Sequence, residues 1–264
     1  MQAGDSFRAA RFAVPPLLKV FAMQTLTLTS RRDIASALYE LRFTRPKDWC
    51  YEPGQFARIG LGLEGGEPVF RAYSIAGSPA EDELVFLIKR VTDGQLSPRL
   101  CDLKPGDEVL LDGDAQGNLL PARIPGGDTM WMMATGSGLA PFVAMLNDGR
   151  ALSAWAQRVL VIGARTREET DGLAAYARAR TTVDVDILTA VSRDEGPLRG
   201  RLPALIESGD LEASAGSTIT ADASRVLLCG NPDFIRDTRA LFKARGIVSP
   251  RFGKPGQLLV ESLW

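Results

Sequence analysis

TMWMMATGSGLAPFVAMLNDG, residues 129–149, is the stretch that determines the fold class. Its first seven residues suit a strand buried on both faces, and the residues after Gly138 have the spacing of an amphipathic helix. The same succession of apolar strand and helix occurs three more times: RVLVIGA (158–164) with EETDGLAAYARAR (168–180), VDVDILTAV (183–191) with LPALIES (202–208), and RVLLCG (225–230) with PDFIRDTRALFKARG (232–246). Apolar strands joined by helices predict a parallel sheet covered on both faces, which binds ligands at the carboxyl ends of its strands.

The residues before this stretch follow a different pattern. Six short segments are separated by Gly, Pro and Asp turn signals: MQTLTLTSRRD (23–33), ALYELRFTRP (37–46), GQFARIGLGL (54–63), RAYSIAG (71–77), ELVFLIKRV (83–91) and DEVLLDG (107–113). Short strands at regular spacing predict a small antiparallel barrel. The sequence also predicts a single short helix over Ser97–Leu103, with Ser97 as its cap.

The Pro/Gly-rich segment PARIPGGD, residues 121–128, separates the two patterns. We therefore predict a two-domain fold, with an antiparallel β-barrel over residues 23–124 and an α/β parallel-sheet nucleotide-binding domain over residues 125–264. Residues 1–22 contain two adjacent prolines and a lysine within their apolar part, which argues against a signal peptide. We interpret them as an N-terminal extension.

The composition excludes several kinds of active site. The chain contains no histidine, which rules out Ser-His-Asp or Cys-His catalysis and histidine-ligated zinc, iron or haem. Its three cysteines are too few for a four-thiolate cluster, so no metal site is expected. A net charge of -1 argues against nucleic-acid binding, and no apolar run approaches the roughly 18 residues of a spanning helix. The odd cysteine count suits a reducing compartment, and we expect a cytoplasmic protein.

The turn Thr135-Gly136-Ser137 joins the decisive strand to its helix. Glycine there lets backbone N–H groups approach a pyrophosphate, and the start of a helix adds a favourable dipole. A plain tight turn is the alternative, because GSGLAP is not a GxGxxG motif. The position between strand and helix favours a phosphate site.

Two segments of the barrel half carry residues that suit a flat, phosphorylated ligand. In Arg71-Ala72-Tyr73-Ser74, the arginine could clamp a phosphate, the tyrosine could stack on a ring and the serine could bond a ring heteroatom. In Gly94-Gln95-Leu96-Ser97, backbone N–H groups and a hydroxyl could meet another phosphate. The alternatives are a strand with a solvated face for the first segment and a capped helix start for the second.

A fourth segment, Cys229-Gly230-Asn231-Pro232, ends the last apolar strand of the repeated pattern. A buried thiol followed by a turn is its simplest interpretation, because free cysteine is among the most buried residue types. The four segments occur in the order RAYS, DGQLS, ATGSGLAP and LLCGNP, with an aromatic residue at the end of the chain. This order resembles the ferredoxin–NADP reductase family, and its bacterial branch of ferredoxin or flavodoxin reductases most of all, from about Met23 to Trp264.

The resemblance implies an FAD-binding barrel followed by a pyridine-nucleotide domain. Arg71 would then hold the FAD pyrophosphate, Tyr73 would lie against the isoalloxazine ring and Ser74 would lie near its N5 atom. Residues 94–97 would complete the FAD phosphate site, and Ser137 would touch FAD from the second domain.

The same resemblance implies catalytic roles for Ser74, Cys229, Glu261 and Trp264. Cys229 and Glu261 would lie near the nicotinamide, and Trp264 would cover the flavin or its adenosine. Relatives of this kind often end in Tyr-Trp, whereas Leu263 precedes Trp264 here. Which side chain covers the ring therefore stays open.

Charged residues after the apolar strands indicate whether the coenzyme is NAD or NADP. NAD-specific sites usually present an acidic residue to the ribose, whereas NADP sites present arginine. Here Arg165 follows the second apolar strand, and Ser192, Arg193 and Arg201 follow the next one. Three arginines on one rim suit a 2′-phosphate, and a solvated rim is the alternative.

Together these features predict a monomeric FAD enzyme that moves electrons between NADP(H) and ferredoxin or flavodoxin. Hydride would pass between the nicotinamide and flavin N5, which explains how an enzyme without histidine could work. Two alternatives remain. One is an NADPH-dependent reductase of a free flavin or quinone on the same fold, and the other is a non-catalytic nucleotide-binding module.

Overall fold

The computed structural model describes residues 23–62 and 66–263. The strands of its first half are β1 (Gln24–Ala35), β2 (Leu38–Thr44), β3 (Phe56–Leu61), β4 (Val69–Ser74), β5 (Glu83–Lys89) and β6 (Glu108–Gln116). They form an antiparallel sheet in the order β4-β3-β6-β1-β2-β5. A bridge between Ile75 and Phe86 joins the chain after β4 to β5. Because β4 and β5 are the outermost strands, this bridge curls the sheet into the predicted barrel.

The second half is a parallel sheet flanked by helices. Its strands are β7 (Thr129–Thr135), β8 (Gln157–Ala164), β9 (Asp186–Val191), β10 (Leu198–Arg199), β11 (Ser224–Gly230) and β12 (Leu258–Ser262). They lie in the order β10-β9-β8-β7-β11-β12, and all neighbours are parallel. The helices are α1 (Ser97–Asp102) in the barrel half, followed by α2 (Ala140–Asp148), α3 (Arg167–Arg178), α4 (Leu202–Ser208), α5 (Asp210–Ala215) and α6 (Pro232–Ala244). The predicted fold class is confirmed.

The sequence of strand β7 is apolar throughout because both of its faces are buried. Met130 and Met132 pack into one hydrophobic cluster, and Trp131 and Met133 pack into another, on opposite faces of the sheet. All four side chains are fully buried. Because both faces are covered, alternation between apolar and polar residues would place polar groups in the core. The first cluster also contains Val85 of the barrel and so extends across the boundary between the two halves, whereas the barrel interior forms a separate cluster.

Three elements were not predicted from the sequence. Strand β10 has two residues, α5 has six, and β12 has five residues of which the last two are polar. Segments this short carry too little periodicity to be distinguished from loops. No helix among residues 23–62 and 66–263 is long and apolar enough to cross a membrane.

The predicted cap of α1 was wrong. Leu96 occupies the cap position, without a side-chain capping bond, and Ser97 is the first helical residue. The Ser97 hydroxyl instead accepts a hydrogen bond from the Val91 N–H at 3.1 Å. It therefore holds the turn that precedes the helix rather than the helix itself. The predicted extension, residues 1–22, lies outside the described residues.

Candidate functional site

The carboxyl ends of β7 and β11 meet at the point where the strand order reverses, since β8 follows on one side of β7 and β11 lies on the other. A short 3-10 turn, Gly136–Leu139, leads from β7 into α2. A Cβ atom on Gly138 would lie 2.2 Å from the Cys229 carbonyl oxygen, so only glycine allows this approach. The turn therefore packs directly on the end of β11, where ligands bind in open parallel sheets.

Asn231 ties the two strand ends together. Its backbone N–H and its side-chain amide both donate to Thr135 Oγ1, at 3.1 and 3.2 Å. Its Oδ1 accepts from the Phe234 N–H at 2.9 Å and so caps α6. A Cβ atom on Gly230 would lie 2.0 Å from Thr135 Oγ1. The structure thus brings together two predicted segments, 135–137 and 229–232.

The end of barrel strand β4 meets the last strand of the second domain. Ser74 Oγ donates to Glu261 Oε1 at 2.5 Å, although the two residues are 187 positions apart in the sequence. Cys229 Sγ lies 3.8 Å from the same oxygen, because Cys229 and Glu261 are register partners in the β11–β12 pair. The Leu263 N–H donates to the Gly230 carbonyl at 2.9 Å and fixes the chain just beyond. Ser74, Cys229 and Glu261, which we name the interdomain cluster, are therefore in direct contact.

Burial shifts the pKa values of both acidic groups of the interdomain cluster, Cys229 and Glu261, upward. Burial and the neighbouring Glu261 carboxyl raise the pKa of Cys229 well above its ordinary value, so the thiol is neutral at physiological pH. Burial raises the pKa of Glu261 above 4.5, although the bonds from Ser74 and Cys229 lower it in part. These groups can orient a neutral ring and can hold or release a proton at Glu261. A thiolate nucleophile is excluded.

The two predicted barrel segments lie side by side. The Arg71 side chain is exposed and donates to the Phe70 carbonyl at 2.8 Å and to Gln95 Oε1 at 3.4 Å. Ala72 is exposed next to it, and the half-buried Tyr73 packs against the barrel core. Burial raises the pKa of Tyr73, so its hydroxyl stays neutral. Strand β4 thus presents a cation, a small residue and an aromatic ring in succession.

The segment before α1 forms a tight turn. A Cβ atom on Gly94 would lie 3.0 Å from the Val91 carbonyl oxygen and 3.1 Å from Ser97 Oγ, which leaves little space for a side chain. Gln95 is exposed, whereas Leu96 anchors the turn in the barrel core. The Gly94 N–H donates to the Val91 carbonyl at 2.9 Å and closes the turn, which places Gln95 beside Arg71.

The three arginines predicted to form a rim follow three neighbouring strands: Arg165 follows β8, Arg193 follows β9 and Arg201 follows β10. Arg165, Arg193 and Arg201 are all exposed. The Arg193 N–H donates to the Arg165 carbonyl at 2.9 Å, and the Ser192 N–H donates to the Ala164 carbonyl at 3.1 Å. These two bonds place the loops after β8 and β9 side by side.

The rim arginines differ from their neighbours in pairing. Arg167 pairs with Asp171 and Arg199 pairs with Glu195. Within the part of the chain that the structure describes, neither Arg165, Arg193 nor Arg201 has a carboxylate partner. Their charges are therefore available to an anionic ligand.

The structure does not describe one predicted site residue, and it shows two interface residues that the sequence did not predict. Trp264 lies outside the described residues. The sequence interpretation missed Lys89 and Glu169, which form an ion pair at 3.0 Å between the barrel and α3. The spacing Thr166-x-x-Glu169 is a capping box and could have indicated the role of Glu169, whereas nothing local singles out Lys89.

Comparisons with known proteins agree with this arrangement. Residues 25–119 match the oxidoreductase FAD-binding domain family, and residues 132–240 match the oxidoreductase NAD-binding domain family. The predicted pair of cofactor-binding domains is thereby confirmed.

Relatives that align with most of the chain are named for a more specific activity. The flavodoxin/ferredoxin–NADP reductase of Escherichia coli is 39% identical over 242 residues, which cover 90% of this chain and 97% of that protein. Ferredoxin–NADP reductase A of Sorangium cellulosum is 32% identical over 235 residues, or 85% of this chain and 84% of that one. A crystal structure of a ferredoxin NADP+ reductase from Neisseria gonorrhoeae with bound FAD and NADP is 28% identical, with a TM-score of 0.83 and coverage of 91% and 98%. The chain therefore belongs to the ferredoxin/flavodoxin–NADP reductase family of oxidoreductases.

Proposed function

We propose that this enzyme passes electrons between NADP(H), bound by residues 125–264, and a ferredoxin or flavodoxin, with FAD bound mainly by residues 23–124. When bound, FAD exchanges a hydride with the nicotinamide and single electrons with the carrier protein. The observation that carries the proposal is the interdomain cluster, which joins the end of strand β4 to the ends of β11 and β12. The carriers named for the Escherichia coli relative support the choice of partner.

The barrel residues fit FAD. Arg71 carries a charge with no carboxylate partner among the described residues, and a pyrophosphate would supply one. The turn at Gly94 places the exposed Gln95 beside the Arg71 guanidinium. Tyr73 presents an aromatic face beside Ser74, whose hydroxyl can meet a polar atom at the edge of a ring. We therefore assign Arg71 to the pyrophosphate, Tyr73 to the ring face and Ser74 to the ring edge.

The second domain fits NADP(H). The turn 136–139 and the end of β11 form the crevice at the switch point of the sheet, and Ser137 is largely buried within it. Asn231 and Pro232 begin α6 at its rim. The three rim arginines, which have no carboxylate partner in the described part of the chain, follow the neighbouring strands and suit a 2′-phosphate better than a free hydroxyl. We therefore assign this crevice to the pyrophosphate and nicotinamide, and the rim to the 2′-phosphate.

The interdomain cluster would orient the reacting rings. Cys229 is small and neutral, so a flat ring can approach it closely without a charge to desolvate. The Ser74 hydroxyl donates a hydrogen bond to Glu261 and can donate instead to a ring atom. The barrel thereby contributes Ser74, and the nucleotide domain contributes Cys229 and Glu261, to the proposed site of hydride transfer.

The test is a comparison of electron acceptors. The purified protein should contain FAD, and NADPH should bleach the flavin absorbance rapidly in a stopped-flow experiment. The reduced enzyme should then pass electrons to a ferredoxin or flavodoxin faster than to free flavin or quinone. Faster transfer to the small molecules would favour a small-molecule reductase, and a protein that cannot be loaded with FAD would favour a nucleotide-binding module.

The proposal further includes a monomer in the cytoplasm. All three cysteines of the chain are free, which suits a reducing compartment. Size-exclusion chromatography with light scattering measures the mass in solution. A dimer would contradict the monomer without affecting the proposed reaction.

The assignment of the FAD pyrophosphate rests on Arg71. Replacing it by alanine leaves the phosphate charge uncompensated, at an expected cost of about 2–4 kcal/mol in FAD binding. Arg71→Ala should therefore lose flavin during dialysis at moderate salt, as measured by absorbance and by FAD titration. Retention of stoichiometric FAD would contradict the assignment.

A further inference from the structure

The start of helix α3 is anchored by a reciprocal pair of hydrogen bonds. Thr166 Oγ1 accepts from the Glu169 N–H at 3.3 Å. In return, the Glu169 carboxylate accepts from the Arg165 N–H at 3.2 Å through Oε2. Both bonds satisfy N–H groups at a helix start that would otherwise lack partners. Glu169 therefore fixes the backbone of Arg165, one of the three rim arginines.

The other oxygen of the same carboxylate is held from the barrel. Lys89, the last residue of β5, places its Nζ 3.0 Å from Glu169 Oε1 and 2.6 Å from the Ser36 carbonyl oxygen. The two side chains are 32% and 17% exposed, so water screens this pair less than a surface pair. Burial alone would raise the pKa of Glu169, but Lys89 and the two backbone bonds lower it overall.

These contacts form a continuous chain from the barrel to the rim. Lys89 is fixed to the barrel by Ser36, Glu169 joins Lys89 to the Arg165 backbone, and the Arg165 carbonyl accepts from the Arg193 N–H at 2.9 Å. Glu169 thus helps to hold the backbone of Arg165 directly and that of Arg193 through one further bond, next to the Ser192–Ala164 bond and the bond from the Arg167 N–H to Asp194 Oδ2 at 2.8 Å. The ion pair is the link in this chain that crosses between the domains.

We propose that Lys89 and Glu169 are positioning residues for the choice between NADPH and NADH. They do not touch the coenzyme themselves and act by holding Arg165 and Arg193 where both can reach a 2′-phosphate. The inference rests on the proposed function, because it takes these arginines as the phosphate-binding residues. Charge-assisted contacts to phosphate depend steeply on geometry, so loss of the anchor weakens them, and NADH makes none of these contacts.

The primary variant is Lys89→Met, which keeps the length of the side chain and removes its charge. We expect the KM for NADPH to rise by about threefold to tenfold, the range expected for weakening a partly buried charged contact. The KM for NADH, the kcat with either coenzyme and the FAD content should stay unchanged. Lys89→Arg, which can reach the same carboxylate, should restore most of the preference.

A matched control is available elsewhere in the second domain. Arg245 pairs with Glu212 at 2.7 Å, with side chains 31% and 13% exposed. Like Lys89, Arg245 also donates to a backbone carbonyl, that of Ile206. Arg245→Met should lower the melting temperature about as much as Lys89→Met does, and it should leave the NADPH:NADH preference unchanged. A general loss of stability is thereby separated from a positioning role.

A second comparison separates positioning from simple electrostatics. If Lys89 acted only by screening Glu169 from the phosphate, Glu169→Gln would tighten NADPH binding by removing a negative charge. A positioning role predicts the opposite, since the neutral amide holds both Lys89 and the Arg165 N–H more weakly. The ratio of kcat/KM for NADPH to that for NADH should therefore fall in Glu169→Gln.

A double-mutant cycle completes the test. In an Arg165→Ala, Arg193→Ala background, Lys89→Met should have no further effect on the coenzyme preference, because the side chains that it positions are absent. An additive effect, or an unchanged preference in Lys89→Met, would overturn the inference and leave the proposed function intact. A wild-type enzyme with no preference for NADPH would instead overturn the assignment of the arginine rim, and this inference with it.

Discussion

At the scale of single residues, the interdomain cluster is unusual for a half-buried carboxyl group, that of Glu261. Glu261 has a serine and a thiol as partners, and no lysine or arginine among the described residues pairs with it. A carboxylate that is buried without a cation is costly, and its pKa shifts upward in response. Ionisation of Glu261 is therefore less favourable in the folded enzyme than in the unfolded chain.

This reasoning predicts a pH-dependent gain from Glu261→Gln. A carboxyl whose folded pKa is raised contributes stability below its unfolded value of about 4.5 and loses that contribution as the pH rises through the folded pKa. Glutamine cannot ionise, so it avoids the loss. The FAD-loaded variant should melt at a higher temperature than wild type at pH 8, and the difference should vanish as the pH approaches 4.5.

Thermal unfolding followed by circular dichroism across this pH range checks the prediction. Glu207→Gln, at an exposed position on α4, supplies the control for replacing a glutamate as such. A Glu261→Gln enzyme that is less stable than wild type at pH 8 would show that the ionised carboxylate is stabilising.

The sequence could predict this cluster only in part. Cys229 and Ser74 belong to local segments with recognisable residue patterns, and Glu261 was expected nearby only because of the family resemblance. Their mutual contact depends on how the barrel docks on the sheet, which no spacing encodes. Lys89 was missed for the same reason, because its partner belongs to the other domain.

At the scale of elements, the end of β11 depends on Asn231 for two separate tasks. The residue caps α6 through Oδ1 and bonds Thr135 of β7 through Nδ2. The strand-to-helix junction was predictable because a proline at the first turn and a capping residue before it are local signals. The bond to Thr135 was not, because it requires β11 to lie beside β7 rather than beside β9.

Asn231→Ala should remove both bonds from the junction. A lost helix cap and a lost side-chain hydrogen bond together predict destabilisation of about 1–3 kcal/mol, measured by urea unfolding. Asn231→Asp keeps the capping oxygen and loses only the amide donor, so it should recover at least half of the loss. Equal stability of Asn231→Ala and wild type would mean that the Asn231 backbone N–H bond to Thr135 Oγ1 suffices to hold the junction.

At the scale of the whole molecule, the barrel and α3 are joined by a buried ionic cluster centred on Glu40 of β2. Its Oε2 accepts from the Tyr176 hydroxyl at 2.5 Å and from the Arg180 guanidinium, both in or next to α3. Its Oε1 accepts from Arg42 Nε at 3.2 Å within the barrel. Glu40 is only 3% exposed, so this carboxylate connects cations from both domains in a site that excludes water.

The two domains could be predicted from the sequence, whereas their relative placement could not. The change from short alternating strands to apolar strands and helices marks two folding patterns along the chain. Glu40, however, occurs in the middle of an alternating strand, where a solvated position is the expected one. Glu40 is buried because α3 docks closely on the barrel. A Cβ atom on Gly172 of α3 would lie only 2.4 Å from the Ile34 carbonyl oxygen, so glycine is needed for this approach.

The Glu40 cluster predicts how the domain interface responds to loss of charge and to acid. Burial alone would raise the pKa of Glu40, but the hydrogen bond from Tyr176 and the charges of Arg180 and Arg42 lower it below 4.5. A lowered folded pKa stabilises the folded state above pH 4.5, and the contribution is lost as the pH falls through the folded value. Wild type should therefore lose more stability between about pH 5 and pH 3 than Glu40→Gln does.

At neutral pH, Glu40→Gln removes the buried charge at nearly constant volume and leaves Arg180 and Arg42 with weaker partners. Breaking one side of a buried ionic contact typically costs about 3–5 kcal/mol, and the neutral amide still accepts hydrogen bonds, so we expect about 2–4 kcal/mol in urea unfolding. Amide hydrogen exchange in α3 should accelerate more than exchange in β7, because the loss lies at the interface. Asp112→Asn, which breaks the more exposed Arg58–Asp112 pair within the barrel, should cost less than about 1 kcal/mol. If the two variants prove equally stable, or if exchange in α3 is unchanged, the Glu40 cluster does not hold the domains together, and the shared apolar core alone must do so.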